Sequence, residues 1–418
     1  MARFRWFAVV AATLLVVGCS GSQSADDKVE AVASASASSI ESSTKPSIES
    51  PTTSLSSPAF GVARIQTAEG LLTIDLANGK SSFVDGLVNA EWTRIASVDK
   101  GVAKLVDAAS RQVLRSATVP DGLHVATISP DGRLAAYSDS PDYSLRGLPK
   151  GRTTTRVAVV SANGTTPVQV LDLPGNLVPE AFSSSGRLLY VLDYVPAAAP
   201  DHYEVRTIDL VTGARTDVGG RPKEVAQDEQ MQGNVRTSVY SPDRNMLFTL
   251  YSEYGEGGHA FIHALNLSEN WSYCLDLPDS GRFGDGQATL AMSRDNNLYV
   301  LGDSGQIAQI DAQPYALTVE RTVQLPAATT AKNRPTATVE GSRLIVGHDD
   351  RVFFLDRATL RIDQTIMMPA GVVGLTGDGN GRVAIATPSA IDIVDQPAAT
   401  RRAGLDTKLP VIMRFDLE

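Results

Sequence analysis

Beyond residue 60 the apolar residues fall into short runs cut by polar turns, with the spacing of β-strands and no sustained helical period. One unit keeps returning. A Ser-led turn opens it, followed by an apolar strand, a polar hairpin, a second strand ending in Asp, and a Thr/Ala/Gly turn into a third strand. Ser129-Pro130-Asp131-Gly132-Arg133-Leu134-Ala135-Ala136-Tyr137 is the clearest copy. Ser183-Ser184-Ser185-Gly186-Arg187-Leu188, Ser241-Pro242-Asp243-Arg244-Asn245-Met246 and Ser293-Arg294-Asp295-Asn296-Asn297-Leu298 repeat it, at spacings of 54, 58 and 52 residues. Pro at the second turn position presets φ, the Asp side chain closes the turn and Gly supplies positive φ. The second half recurs as Thr207-Ile208-Asp209-Leu210-Val211-Thr212-Gly213, Ile262-His263-Ala264-Leu265-Asn266-Leu267 and Phe353-Phe354-Leu355-Asp356-Arg357-Ala358-Thr359.

Antiparallel units this small cannot bury a core alone, and stacking them radially around a channel makes a β-propeller. Counting favours seven units, at 61–85, 91–120, 123–174, 177–222, 234–278, 286–326 and 334–370, with 371–396 completing the last; eight blades, or six with a split blade, are the alternatives. Val411-Ile412-Met413-Arg414-Phe415-Asp416-Leu417 is then a strand with no partner of its own.

Between Arg351 and Arg382, the order Val352-Phe353-Phe354-Leu355-Asp356, Thr359, Thr365-Ile366, Pro369, Gly371-Val372 and Asp378-Gly379 is that of a known repeat. In it the chain resembles the bacterial lipoprotein branch of the β-propellers and is similar to the YVTN/YncE-like and WD40-like families, although the Tyr-Val-Thr-Asn tetrapeptide is absent. The resemblance implies an all-β, seven-bladed disc over 59–418 whose C-terminal strand pairs into the first blade and removes the exposed edge.

The amino terminus follows a different pattern. The apolar run 6–18, headed by Arg3 and Arg5, is too short to cross a bilayer and has the form of an export signal. Leu15-Val16-Val17-Gly18-Cys19 resembles a lipobox, which implies cleavage before Cys19 and acylation there. The plainer alternative is an ordinary secretory signal with an incidental Cys19. The expected organisation is a signal peptide at 1–18, a lipidated Cys19 and Ser/Ala/Thr/Pro linker at 19–58, and the propeller at 59–418. The linker has no aromatic residue and cannot offset its ordering entropy, so it reads as a disordered tether with a reach of roughly 35 Å. The expected location is the exported face of the cell membrane.

Losing 1–18 removes two arginines and no acids and moves formal charge from −10 to −12, which opposes nucleic-acid binding. The two cysteines are Cys19 and Cys274, so lipidation of Cys19 leaves no pair for a disulfide. Cys274 reads as a small buried hydrophobe.

Apparent catalytic motifs have structural readings. Gly302-Asp303-Ser304-Gly305, similar to a protease nucleophile turn, lies between two strands and reads as a hairpin. Glu253, Glu256, His259 and His263 form the densest cluster of metal-ligand types, but His259 and His263 need a helix to share a face, and their surroundings read as a hairpin. Asp378-Gly379-Asn380-Gly381 lacks the distal Glu of a calcium loop, and Asp349-Asp350 reads as a turn. No metal or cofactor is expected. The long insertions 139–155 and 223–236 are better candidates, because loops on a rigid scaffold carry recognition. Tyr143, Arg146, Glu229, Arg236, Tyr254 and His259 are the candidate contacts. The expectation is a membrane-tethered, non-catalytic propeller that binds a protein or glycan of the envelope. The alternative is an envelope oxidoreductase or lyase with a cofactor or metal in the channel, against which stands the scarcity of Trp: only Trp92 and Trp271 follow the leader.

Overall fold

The computed structural model describes residues 61–418 apart from 144–147, 221–230, 232, 253–258, 279–282, 284–287, 327–333, 396–398, 406–408, 410–411 and 418. The expected signal, Cys19 and linker lie outside the described residues. Strand order among the described residues gives eight sheets, hence eight blades rather than the seven expected from the repeat count. Blade 1 combines Val62–Gln66, Gly70–Asp75 and Ser81–Asp85 with the C-terminal Arg414–Leu417, and blade 2 runs from Leu87–Val88 to Val113–Thr118. Blade 3 comprises Leu123–Ile128, Leu134–Asp139, Thr154–Ser161 and Gln169–Pro174. Blade 4 comprises Asn176–Phe182, Leu188–Val195, His202–Asp209 and Arg215–Asp217. Asn234–Tyr240, Met246–Ser252, Ala260–Asn266 and Trp271–Asp276 build blade 5, whose edge also carries Gly219–Gly220 in parallel. Blade 6 begins at Thr289–Met292 and blade 7 at Thr336–Glu340.

The miscount has a specific origin. Ile362–Met367 already completes blade 7, and Gly374–Gly377, Arg382–Thr387, Ala390–Asp395 and Ala399–Gly404 form a blade of their own. That blade opens on Gly-Leu-Thr-Gly, which carries little apolar signal, so its two strong strands read as the tail of the unit before. The unpartnered C-terminal strand does close the ring, with Gln66 opposite Arg414 and Ala63 opposite Leu417.

The middle strands are the most apolar and supply the core. Every residue of Met246–Ser252 and Ala260–Asn266 is buried, and both strands contribute to a cluster shared with Leu298, Val300, Ala308 and Ile310 of blade 6. Each side chain of this size adds roughly 1.5–3 kcal/mol on burial.

The repeated serine has a defined task. Ser129, Ser183, Ser241 and Ser293 are buried, and their hydroxyls accept from the backbone N–H of Leu134 (3.0 Å), Leu188 (3.0 Å), Met246 (2.9 Å) and Asn297 (2.8 Å). A backbone bond runs back from each serine N–H, for example Ser129 to Leu134 at 2.8 Å. The turn needs one residue at positive φ, filled by Gly132 (71°) and Gly186 (73°) but by Arg244 (63°) and Asn296 (60°) in the next two copies. In blade 2 Asn89 replaces the serine, its Oδ1 accepting from Thr93 and Arg94 at 2.8 Å. At the other turn of blades 2, 4, 5 and 7 an Asp or Asn caps the chain: Asp107, Asp209, Asn266 and Asp356 accept from backbone N–H groups two or three residues on. Backbone donation from Ser110 and Thr212 holds the Asp107 and Asp209 carboxyls below their ordinary range, and the Thr359 hydroxyl does the same for Asp356.

Candidate partner-binding face

Antiparallel order sorts the connections between the two ends of the ring. First-to-second and third-to-fourth strand connections emerge at one end of the ring, here the turn end. Second-to-third and blade-to-blade connections emerge at the other, the loop end. Both insertions join strands at the loop end: 139–155 between the second and third strands of blade 3, 223–236 between blades 4 and 5. Four of the five histidines are there too, with His124, His202 and His348 at strand termini and His259 just before a strand.

The blade 3 insertion is tied to the neighbouring blade. Arg152 donates to Asn176 Oδ1 (2.9 Å), to the carbonyls of Leu177 (2.6 Å) and Asp139 (3.0 Å), and pairs with the Asp139 carboxylate at 3.1 Å. Asn176 returns a bond to the Lys150 carbonyl at 3.0 Å, and Lys150 pairs with Asp142. Gly151 lies so close to the Ala198 carbonyl that a Cβ has no room. On this footing Tyr143 stands 49% exposed, opposite Pro149 in an isolated bridge. Beside it a cavity of about 120 Å³ opens between blades 3 and 4, lined by His124, Val125, Ser138, Asp139, Val178 and Pro179 among others. Its walls are part apolar and part hydrogen-bonding.

Beneath the loop end an aromatic stack crosses from blade 4 to blade 5. Ring centroids are 5.6 Å apart for Tyr194–Tyr203, 5.3 Å for Tyr203–Tyr251, 5.3 Å for Tyr251–Phe261 and 5.7 Å for Phe261–His259. Leu148 from one insertion and Met231 from the other pack on this stack, and the Tyr203 N–H donates to the Met231 carbonyl at 3.0 Å. Leu148 and Met231 thus bring a described residue of each insertion onto one aromatic base.

The same seam holds two ionisable groups with unmet hydrogen bonds, Glu180 half-buried and His263 fully enclosed. Glu180 Oε1 accepts from Thr249 (3.3 Å) and Tyr251 (3.4 Å), while Oε2 has no partner. Burial pushes the Glu180 carboxyl up to about 7. His263, fully buried in register with Thr249 and Cys274, has no partner for either ring nitrogen, and burial lowers it to about 4.

Of the residues expected at the site, Tyr143 and His259 are at the loop end, the latter 3.2 Å from Asp276. Arg236 lies in the strand Asn234–Tyr240, while Arg146, Glu229 and Tyr254, with Glu253 and Glu256, lie outside the described residues. His259 and His263 do not pair as ligands, since one stacks on Phe261 in a loop and the other is enclosed in a strand. No group of three His, Cys, Asp or Glu side chains gathers as a metal site among the described residues. Gly302 to Gly305 is a hairpin turn closed by a 2.9 Å bond from the Gly302 N–H to the Gln306 carbonyl, and Asp349-Asp350 also joins two strands. Asp378 closes the first turn of blade 8, its Oδ1 accepting from Asn380 (2.8 Å) and Arg382 (3.1 Å). Cys274 packs against the aromatic stack. Sequence reading missed Arg152, Glu180 and the tyrosine stack, which depend on contacts between distant segments.

No family model matches the chain, and no curated protein matches it. Similar solved structures include apo AztD from Citrobacter koseri, 13% identical, covering 84% of this chain and 95% of that one with a TM-score of 0.51. Others are the dihydro-heme d1 dehydrogenase NirN in complex with DHE (13% identical, 85% of this chain and 76% of that one, TM-score 0.48) and BamB from Moraxella catarrhalis (12% identical, 78% and 92%, TM-score 0.42). The likeness to AztD is one of fold.

Proposed function

We propose that the protein is a non-catalytic binding propeller, exported and tethered to the cell membrane through Cys19, that captures an envelope protein or glycan on the loop end of blades 3 to 5. The observation that supports this most is the seating of both insertions on one aromatic base, with Arg152 fixing the first of them to blade 4. A loop so held presents Tyr143 and the adjoining cavity without the ordering cost a free loop carries. A tether of roughly 35 Å lets such a face stand clear of the headgroups.

The test is cross-linking of the full-length protein in its own envelope, beside a variant in which 141–150 is replaced by a Gly-Ser bridge. Capture by the parent and loss in the variant is the expected result. Equal capture by both contradicts the reading. Cys19→Ala is expected to leave capture by the purified protein intact while releasing it from the membrane fraction.

A further inference from the structure

The outer rim of the ring repeats one contact and departs from it between blades 5 and 6. From blade 2 to 3, 3 to 4 and 6 to 7, a long polar side chain of an outer strand donates to a carbonyl in the third-to-fourth strand turn of the next blade. The pairs are Arg115 with Gly164 (2.6 Å), Gln169 with Leu210, and Arg321 with Ala358. From blade 5 to 6 two aromatic rings stand in that place. Trp271 opens the outer strand of blade 5, and Tyr315 lies in the turn between Gln306–Asp311 and Thr318–Gln324 of blade 6. Their ring centroids are 5.8 Å apart and their planes are inclined at 34°.

The blade 6 turn is lengthened where it supplies that ring. In blades 1, 2, 4, 5 and 7 the residue at positive φ is the fourth after the capping Asp or Asn: Gly79, Arg111, Gly213, Asn270 and Leu360. In blade 6 it is the sixth after Asp311, Leu317 at 46°, so the turn gains two residues and carries Pro314-Tyr315. The longer turn is held firmly. Asp311 accepts from the Gln313 N–H (3.1 Å), the Ala316 N–H donates to the Gln313 carbonyl (3.0 Å), and Leu317 is buried in the cluster on which Trp271 also packs. Tyr315 nevertheless stands 63% exposed. Glu269, from the blade 5 turn, joins the two rings: its Oε2 accepts from Trp271 Nε1 at 2.9 Å and from the Tyr315 hydroxyl at 2.5 Å. These bonds, Tyr315 foremost, hold the Glu269 carboxyl below its ordinary range, so it is ionised at neutral pH.

We propose that Tyr315, Trp271 and Glu269 form a saccharide platform on the rim between blades 5 and 6, which takes a neutral hexopyranose ring of an oligosaccharide. The C–H face of such a ring stacks on an exposed aromatic face, and its hydroxyls donate to a carboxylate oxygen in charge-assisted bonds, here Glu269 Oε1. Rings in mutual contact at 34° make a shallow surface, which suits a flat sugar face, whereas a methylated ammonium is held among faces that surround it. The formal charge of −10 disfavours acidic sugars. Because Glu269 and the Leu317 anchor set Tyr315 in advance, binding carries little ordering cost. This site is at the turn end and does not depend on partner capture at the loop end.

The test is calorimetric titration of the full chain with oligosaccharides of glucose, of galactose and of N-acetylglucosamine, beside tetramethylammonium. Saturable binding of at least one sugar series is expected, and none of tetramethylammonium. Tyr315→Ala removes an exposed ring, so the fold is kept while affinity for that sugar falls about tenfold. Glu269→Gln keeps an oxygen for both ring donors but removes the charge, and is expected to weaken binding about threefold. Phe83→Ala, which removes another exposed ring (48%) on blade 1, leaves affinity unchanged. No saturable heat from any of the three sugar series overturns the proposal, as does equal affinity in the parent and a folded Tyr315→Ala. Saturable tetramethylammonium binding that is lost in Glu269→Gln identifies a cation site instead and overturns it too.

Discussion

At the turn end the chain reverses in a few residues that are nearly interchangeable between blades. At the loop end it inserts segments of different length and packs them across blade boundaries, over a seam whose strands hold Glu180, half-buried, and His263, fully buried, with unmet hydrogen bonds. In the repeated turns at one end a small side chain answers the backbone donors, as Ser129 and Asp209 do. At the other, Arg152 alone joins two blades and an insertion. The turn end thus sets the geometry of the ring, and the loop end uses that rigidity to hold structure which is not optimised for stability. Departures from local rules of this kind gather where a protein acts on something else.

The largest effect expected lies in the feature both ends share, the closing strand. Deleting 411–418 removes the partner of Val62–Gln66 and the Arg414 bonds to blade 2, and is expected to cost several kcal/mol, read as a lower midpoint in urea. An unchanged midpoint shows that the ring does not need its closure.

Next come the two groups under the loop end, which respond to pH in opposite senses. The Glu180 pKa is raised from its ordinary 4.5 to about 7, so its contribution to stability is complete below 4.5 and is lost as pH rises through about 7. The His263 pKa is lowered from 6.5 to about 4, so its contribution is complete above 6.5 and is lost as pH falls through about 4. Glu180→Gln is expected to gain on the order of 2 kcal/mol over the parent at pH 8, less than the full shift implies because part of the side chain meets solvent. His263→Phe is expected to gain about 1–3 kcal/mol at pH 4 by removing two unmet nitrogens. Denaturant titrations across this range check both, and curves parallel to the parent dismiss the pair as the source of strain.

At the turn end Ser129→Ala and Ser241→Ala are each expected to cost about 1 kcal/mol, with no change in partner capture. Gly151→Ala reverses that pattern: it forces the blade 3 insertion off the Ala198 carbonyl, so capture falls while the unfolding midpoint moves by less than about 1 kcal/mol. If Gly151→Ala lowers stability as much as the serine changes and spares capture, the division between the two ends is wrong.

Local chemistry is what made the propeller legible. Ser129, Ser183, Ser241 and Ser293 announce their turns because each turn needs a hydroxyl, an Asp or Ser, and a residue at positive φ within a few positions. Asn89 does the same work with a different side chain and left blade 2 with a weaker signature. The eighth blade was hidden because Gly374–Gly377 has almost no apolar pattern, its burial being supplied by neighbours such as Ile412 and Phe415. Tyr143 and His259 could be picked out as members of polar insertions. The base beneath them could not, since residues 148, 194, 203, 231, 251 and 261 meet only once the blades are ordered in the ring.

The most direct test of the loop end as the binding face is a photo-cross-linking residue placed at Tyr143 or, separately, at Val211, which is 79% exposed at the turn end of the adjacent blade. With each full-length variant in its native envelope, the account predicts a discrete adduct from position 143 and none from position 211. An adduct from 211 with none from 143 contradicts it.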